Sequence, residues 1–100
     1  MMPDHRKLVS TCTEKIKSLG DPIRLNAALT LLSGPATVSR LMKELRVEQS
    51  LLSHHLQILR KSGIALSERK GREMEYRLAG DVRGSRPART IHLGCCRLTF

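Results

Sequence analysis

Apolar residues recur at Leu8, Cys12, Ile16 and Leu19, spacings that lay one stripe along a helix over residues 4–19, with Gly20 ending it. Asp21 followed by Pro22 reads as an N-cap with proline in the first helical position. The helix it opens carries Ile23, Leu25, Ala27, Leu29, Leu31 and Leu32. It is apolar over most of its circumference, as a central element should be, and Ser33-Gly34-Pro35 stops it. Thr37 caps a short third helix bearing Val38, Leu41, Met42 and Leu45. After a break of three or four residues at Arg46-Val47, a fourth helix starts near Glu48 or Gln49 and runs to Lys61, closed by Ser62-Gly63. On it Leu52, Leu56 and Leu59 take one face. Ser50, Ser53, His54, Gln57 and Lys61 follow the helical period on the other.

From Ile64 the period changes to two. Residues 64–69 and 72–78, joined around Lys70-Gly71, predict a hairpin with a basic, glycine-bearing tip, in which Met74, Tyr76 and Leu78 point inward. Residues 81–89 turn to Gly, Ser, Pro and Arg, the composition of an exposed connector. Thr90 to Phe100 alternates again, with Ile91, Leu93 and Cys95 on one side and Cys96, Leu98 and Phe100 on the other. That predicts one additional C-terminal strand, bulged at Gly94 or at the cysteine pair.

Two short helices with a tight turn over residues 37–62 form a helix-turn-helix, and the hairpin at 64–78 adds a wing. The expected fold is mainly α with a small β-hairpin, an α+β winged helix-turn-helix in a single domain over residues 1–100. A connector and C-terminal segment occupy 81–100. At 100 residues the chain has room for one core. Its Leu, Ile, Val and Phe content clears the roughly 20% below which charged chains stay unfolded.

Charge then narrows the partner. Eighteen Lys and Arg against nine Asp and Glu give +9, which favours a polyanion. With Tyr76 and Phe100 the only aromatic residues, the chain lacks the rings on which single-stranded nucleic acid stacks. A major groove accepts a helix, and the face bearing Ser50, Ser53, His54 and Gln57 offers donors and acceptors to base edges. Gln49 and Ser50, at the start of that helix, could instead hold a phosphate. Lys61 and the wing residues Arg69, Lys70 and Arg72 complete the candidate contacts to double-stranded DNA. The bland alternative is a solvated helix face. A different class of function is a basic module that binds RNA or a protein partner without reading an operator.

Other classes find no support. No nucleophile has a base and an orienting group at catalytic spacing, and no glycine-rich phosphate loop occurs, so no enzyme and no catalytic residue is expected. The longest nearly apolar stretch, Ala27 to Leu32, is far short of a membrane span, and the N-terminus has no signal-peptide apolar region. Three cysteines, two of them adjacent, do not make a disulfide framework. A reducing cytoplasm is the expected location.

At this point the sequence resembles the ArsR/SmtB family of bacterial winged-helix repressors. The likeness is carried by Leu19-Gly20-Asp21-Pro22-Ile23-Arg24-Leu25, by the run from Glu48 to Gly63, and by the wing from Arg69 to Leu78. It implies a homodimer whose N-terminal helix serves the interface, recognition of an operator by the fourth helix, and repression that a signal relieves. Metal sensors of the family often carry a cysteine pair in the third helix. The comparable stretch here, Thr37-Val38-Ser39-Arg40, has no thiol, and the carboxylate and imidazole site on a C-terminal dimer helix has only His92 to match it.

No metal or other cofactor is therefore assigned. His54 and His55 are adjacent, about 100° apart on a helix, and poorly placed to share an ion. His54 lies on the polar face, whereas His55 is expected to be a buried, hydrogen-bonded residue of the helix-turn-helix. Cys95 and Cys96, with His92 three residues before and Cys12 from the first helix, could chelate a soft metal or metalloid effector. The plainer expectation is that the cysteines pack in the interior, since neighbours on a strand face opposite sides. Oxidation, if it acts, is expected to link Cys12 to Cys95 or Cys96 across the dimer.

Overall fold

The computed structural model describes residues 5–83 and 89–100. Helix α1 spans Arg6–Ser18, α2 Pro22–Leu31, α3 Val38–Leu45 and α4 Gln49–Lys61. Strands follow as β1 Ala36–Thr37, β2 Ala65–Lys70, β3 Glu73–Leu78, β4 Thr90–His92 and β5 Arg97–Thr99. The predicted start of the first helix at residue 4 lies outside the described residues.

Local chemistry sets most boundaries. The Asp21 carboxylate accepts from the Ile23 and Arg24 amides at 2.8 and 3.2 Å, satisfying two of the orphan donors that begin α2. Thr37 Oγ1 caps α3 through the Arg40 amide, and Glu48 caps α4 through the amides of Ser50 and Leu51. Between those two helices Arg46 adopts a left-handed conformation, φ 55°, while the Val47 amide returns to the Met42 carbonyl. Such a backbone costs a non-glycine residue roughly 1–2 kcal/mol, and it produces the abrupt reversal a helix-turn-helix needs.

Leu31 of α2, Leu41 of α3, and Leu52, Leu56 and Leu59 of α4 are fully buried together with Ile64, Val82 and Ile91. The predicted greasy face of α4 is thus the centre of the core. In the wing Tyr76 and Leu78 are buried, with Met74 packed against the cluster. The pairing of β2 with β3 runs from Ala65 opposite Leu78 to Lys70 opposite Glu73. Gly71, at φ 62°, holds the first central position of the two-residue tip, the place where a type II′ turn favours glycine.

Three features depart from the sequence expectation. First, Ala36 and Thr37 form β1, pairing antiparallel with Tyr76 and Glu75, so the wing is the edge of a three-stranded sheet ordered β1-β3-β2. Two residues are too few to show a period. Second, the C-terminal segment is not one bulged strand. It folds back as a separate β4–β5 hairpin with Ile91 opposite Leu98 and His92 opposite Arg97. Gly94, at φ 89°, turns the chain rather than bulging it, and the Leu93 amide closes the turn on the Cys96 carbonyl. Third, the connector begins inside the fold, because Val82 is buried and Arg83 bridges Ile91. Residues 84–88 of that connector lie outside the described residues.

Helix α1 packs differently from the others. Ser18 and Leu19 at its C-terminal end are buried, yet Leu8, Val9 and Ile16 stay 58%, 56% and 49% exposed. No helix among the described residues is long and apolar enough to cross a membrane.

Candidate nucleic-acid interface

Burial of Leu52, His55, Leu56 and Leu59 turns the opposite face of α4 outward. Gln49, Ser50, His54, Gln57 and Lys61 are exposed and Ser53 is half-buried. The candidate base-reading residues therefore share one solvent-facing surface. The amides of Ser50 and Leu51 are already occupied by the Glu48 carboxylate at 3.0 and 2.8 Å. A phosphate at this end would meet the side chains of Gln49 and Ser50, since the amides of Ser50 and Leu51 are engaged.

The wing stands beside this surface. A cleft of about 190 Å³ is lined by Ser39 and Met42 of α3, Gln49 and Ser53 of α4, and Arg72 and Glu73 of the hairpin. Ser39 Oγ donates to the Glu73 carboxylate, tying the tip end of the wing to α3. Sequence reasoning did not single out Ser39 or Glu73, because only the register of β3 against β1 brings them together.

Arg69 and Arg72 are exposed and make no ion pair among the described residues. Lys70 lies 3.6 Å from Glu68, which also meets Arg77 at 3.9 Å. All three side chains are at least half exposed, so these pairs contribute at most about 1 kcal/mol and leave Lys70 available to another anion. Lys61 sits at the far end of α4, at a 260 Å³ cavity shared with Lys17 of α1 and Arg24 of α2.

Behind the surface, Arg24 Nε donates to the Ser18 carbonyl at 2.6 Å and its Nη1 lies 2.8 Å from His55 Nδ1. A guanidinium only donates, so Nδ1 accepts. Asp21 Oδ1 lies 3.8 Å from the same ring nitrogen. Burial pushes the Asp21 carboxyl up, but the amides of Arg24 and Ile23 and the nearby positive charge outweigh it and hold the group below its ordinary range. His55 is thus the buried, hydrogen-bonded histidine expected. It locks the recognition helix to the α1–α2 corner.

The thiols are placed otherwise than expected. Cys95 and Cys96 are exposed and Cys12 is half-buried, so the packing expectation fails. Cys12 and Cys95 form a disulfide within one chain, across 83 positions and a Cα–Cα distance of 6.0 Å, rather than across a dimer. The C-terminal turn accounts for both results, since it carries its cysteines out of the core and against α1. Cys96 keeps a thiol, with its Sγ 3.9 Å from that of Cys95. The three sulfur atoms lie within 4.8 Å of one another, and His92 does not join them.

This architecture agrees with what known proteins show. The sequence model described as bacterial regulatory protein, arsR family, matches residues 21–67, from the N-cap of α2 into the wing. The chain is 35% identical over 80 residues to the biofilm growth-associated repressor of Agrobacterium fabrum, covering 80% of this chain and 68% of that protein. The chain belongs to the ArsR family.

Other relatives of this ArsR-family chain include the transcriptional repressor SmtB of Mycobacterium tuberculosis, 38% identical over 77 residues that make up 77% of this chain. The chain spans only 57% of the length of that protein. Among solved structures, a homodimeric winged helix-turn-helix DNA-binding domain from Mycobacterium bovis superposes with a TM-score of 0.72 at 25% identity, covering 79% of this chain and 74% of that one. The winged-helix fold is therefore shared with a DNA-binding domain. In this family member the residues at the start of α3 have structural partners. Thr37 caps α3, Ser39 holds Glu73, and Arg40 pairs with Glu44 at 2.9 Å.

Proposed function

We propose that this chain is a homodimeric transcriptional repressor of the bacterial cytoplasm that binds double-stranded operator DNA. Ser53, His54 and Gln57 read base edges in the major groove. Gln49, Ser50, Lys61, Arg69, Lys70 and Arg72 hold the phosphate backbone. The observation that carries this reading is the single outward surface formed by the polar face of α4 and the cationic wing tip, on a chain of net charge +9.

Dimerisation is supported by α1. Its exposed Leu8, Val9 and Ile16 leave apolar area uncovered, and the radius of gyration, 14.3 Å, exceeds the roughly 13 Å of a compact 100-residue domain. A two-fold partner covering this stripe would present two recognition helices to half-sites about 34–36 Å apart. Selection of binding sites from random duplexes, followed by sedimentation of the complex, tests both points. An imperfect palindrome bound by two chains is the expected result. Equal affinity for all duplexes, or tighter binding to RNA, would instead favour a basic module without an operator.

A further inference from the structure

We propose that Leu51, an apolar side chain at the N-terminal end of α4, reads the C5-methyl group of a thymine, so that each operator half-site carries a thymine at one fixed position. This role rests on the reading of α4 as the recognition helix. It adds to that surface a base-specifying residue that a search for polar side chains passes over.

A single exposed leucine is ordinary on a protein surface, and it is the position of Leu51 that gives it a consequence. Leu51 is the third residue of α4 and is 44% exposed. Among the described residues it is the one large apolar side chain of that helix left so open to solvent. It stands one turn before His54 and His55, on the border where the outward face meets the buried one. A helical Cα–Cβ bond tilts towards the N-terminus, the end whose residues a recognition helix brings to base edges. The backbone there is already fixed. Glu48 accepts from the Leu51 amide at 2.8 Å and from the Ser50 amide at 3.0 Å, and the Leu52 amide returns to the Glu48 carbonyl at 3.0 Å.

The chemistry of the groove selects the partner. Base edges in the major groove present hydrogen-bond donors and acceptors, and the one apolar group among them is the thymine methyl. Leu51 has no atom that can replace water on a donor or an acceptor. Against the amino group of cytosine or adenine it would strip water from a donor and leave that donor unpaired, which is a net loss. Against the methyl it takes apolar area of both partners out of water, which is a net gain. One side chain therefore favours thymine and penalises cytosine at the same place. Ser53, His54 and Gln57 offer only hydrogen bonds to the groove, so they do not supply this selection.

The test uses the whole chain and the operator recovered by selection from random duplexes. Each thymine in turn is replaced by deoxyuridine, which lacks only the C5-methyl and keeps its base pairing, and binding is followed by fluorescence anisotropy at fixed salt. At one thymine of each half-site the replacement should weaken binding by about fourfold, the effect of one methyl group taken from water. Leu51→Ala should bind the thymine operator less tightly, and it should bind the thymine and deoxyuridine forms alike at that position. At every other thymine it should respond as the parent does. Its salt slope should equal the parent's, because no phosphate contact is lost. Leu51→Met keeps an apolar side chain of similar length and should restore most of the response to the methyl. An operator bound with no thymine sensitive to deoxyuridine, or a Leu51→Ala variant that keeps the full loss at every thymine, would overturn the role of Leu51 while leaving operator recognition intact. Failure to recover any operator would instead remove the reading of DNA recognition, and this role with it.

Discussion

Replacing His55 by Ala should destabilise the fold far more than its place in a polar-rich helix indicates. The ring is about nine-tenths buried, with a side-chain exposure of 10%, and its Nδ1 accepts from Arg24 at 2.8 Å. Truncation removes the acceptor and leaves a guanidinium proton facing a hole between α2 and α4. Losing a hydrogen bond to a charged group in that setting costs about 1.5–3 kcal/mol, to which the lost packing of the ring adds. Since Arg24 also donates to the Ser18 carbonyl, the damage should reach the end of α1. For a domain of this size about 2 kcal/mol corresponds to a fall in Tm of roughly 8–16 °C. His55→Asn is the informative companion, because its amide oxygen can replace Nδ1 as acceptor, and it should recover a good part of the loss. Urea and thermal unfolding at one fixed chain concentration provide the measurement, since a dimer's stability depends on concentration. If His55→Ala and His55→Asn unfold together, or if both lie within about 0.5 kcal/mol of the parent, the Arg24–His55 bond does not anchor the recognition helix.

Three further outcomes are expected. Alanine at Ser53, His54 or Gln57 should relax sequence preference by about 1–3 kcal/mol at a base position, whereas alanine at Arg69, Lys70 or Arg72 should weaken all duplexes alike and reduce the salt slope by about one each; salt-dependent binding to matched and mismatched duplexes separates the two. Asp21→Ala should cost about 0.5–2 kcal/mol as a lost N-cap. The folded carboxyl lies below its ordinary value near 3.8, so its contribution is complete above that pH and is lost as pH falls through the lower folded value; acid unfolding should show the parent losing this increment and the variant having a flatter acid limb. Ile16→Glu places a charge on the exposed stripe of α1 and should yield monomers in sedimentation with little change in helix content, and a fully dimeric variant would remove α1 from the interface.

Local rules carried the sequence reading a long way. Caps at Asp21, Thr37 and Glu48, the stop at Gly34-Pro35, and the change of period from 3.6 to 2 after Gly63 each involve residues within a few positions of one another. The same rules separated the buried face of α4 from the outward one, and so grouped the candidate DNA contacts of that helix. Pairing between distant segments was not legible in this way. The two residues of β1 take extended form because β3 offers them partners, and that pairing sets Glu73 against Ser39. In the C-terminal segment, alternation over eleven residues fits one strand or two equally well, since a period of two says nothing about where the chain reverses. Only closure of the turn at Gly94 against α1 decided that Cys95 and Cys96 leave the core and that Cys12, 83 residues away, becomes their neighbour. Periodicity reports which face of an element avoids water; which elements then meet depends on long-range packing, whose terms no single stretch of sequence contains.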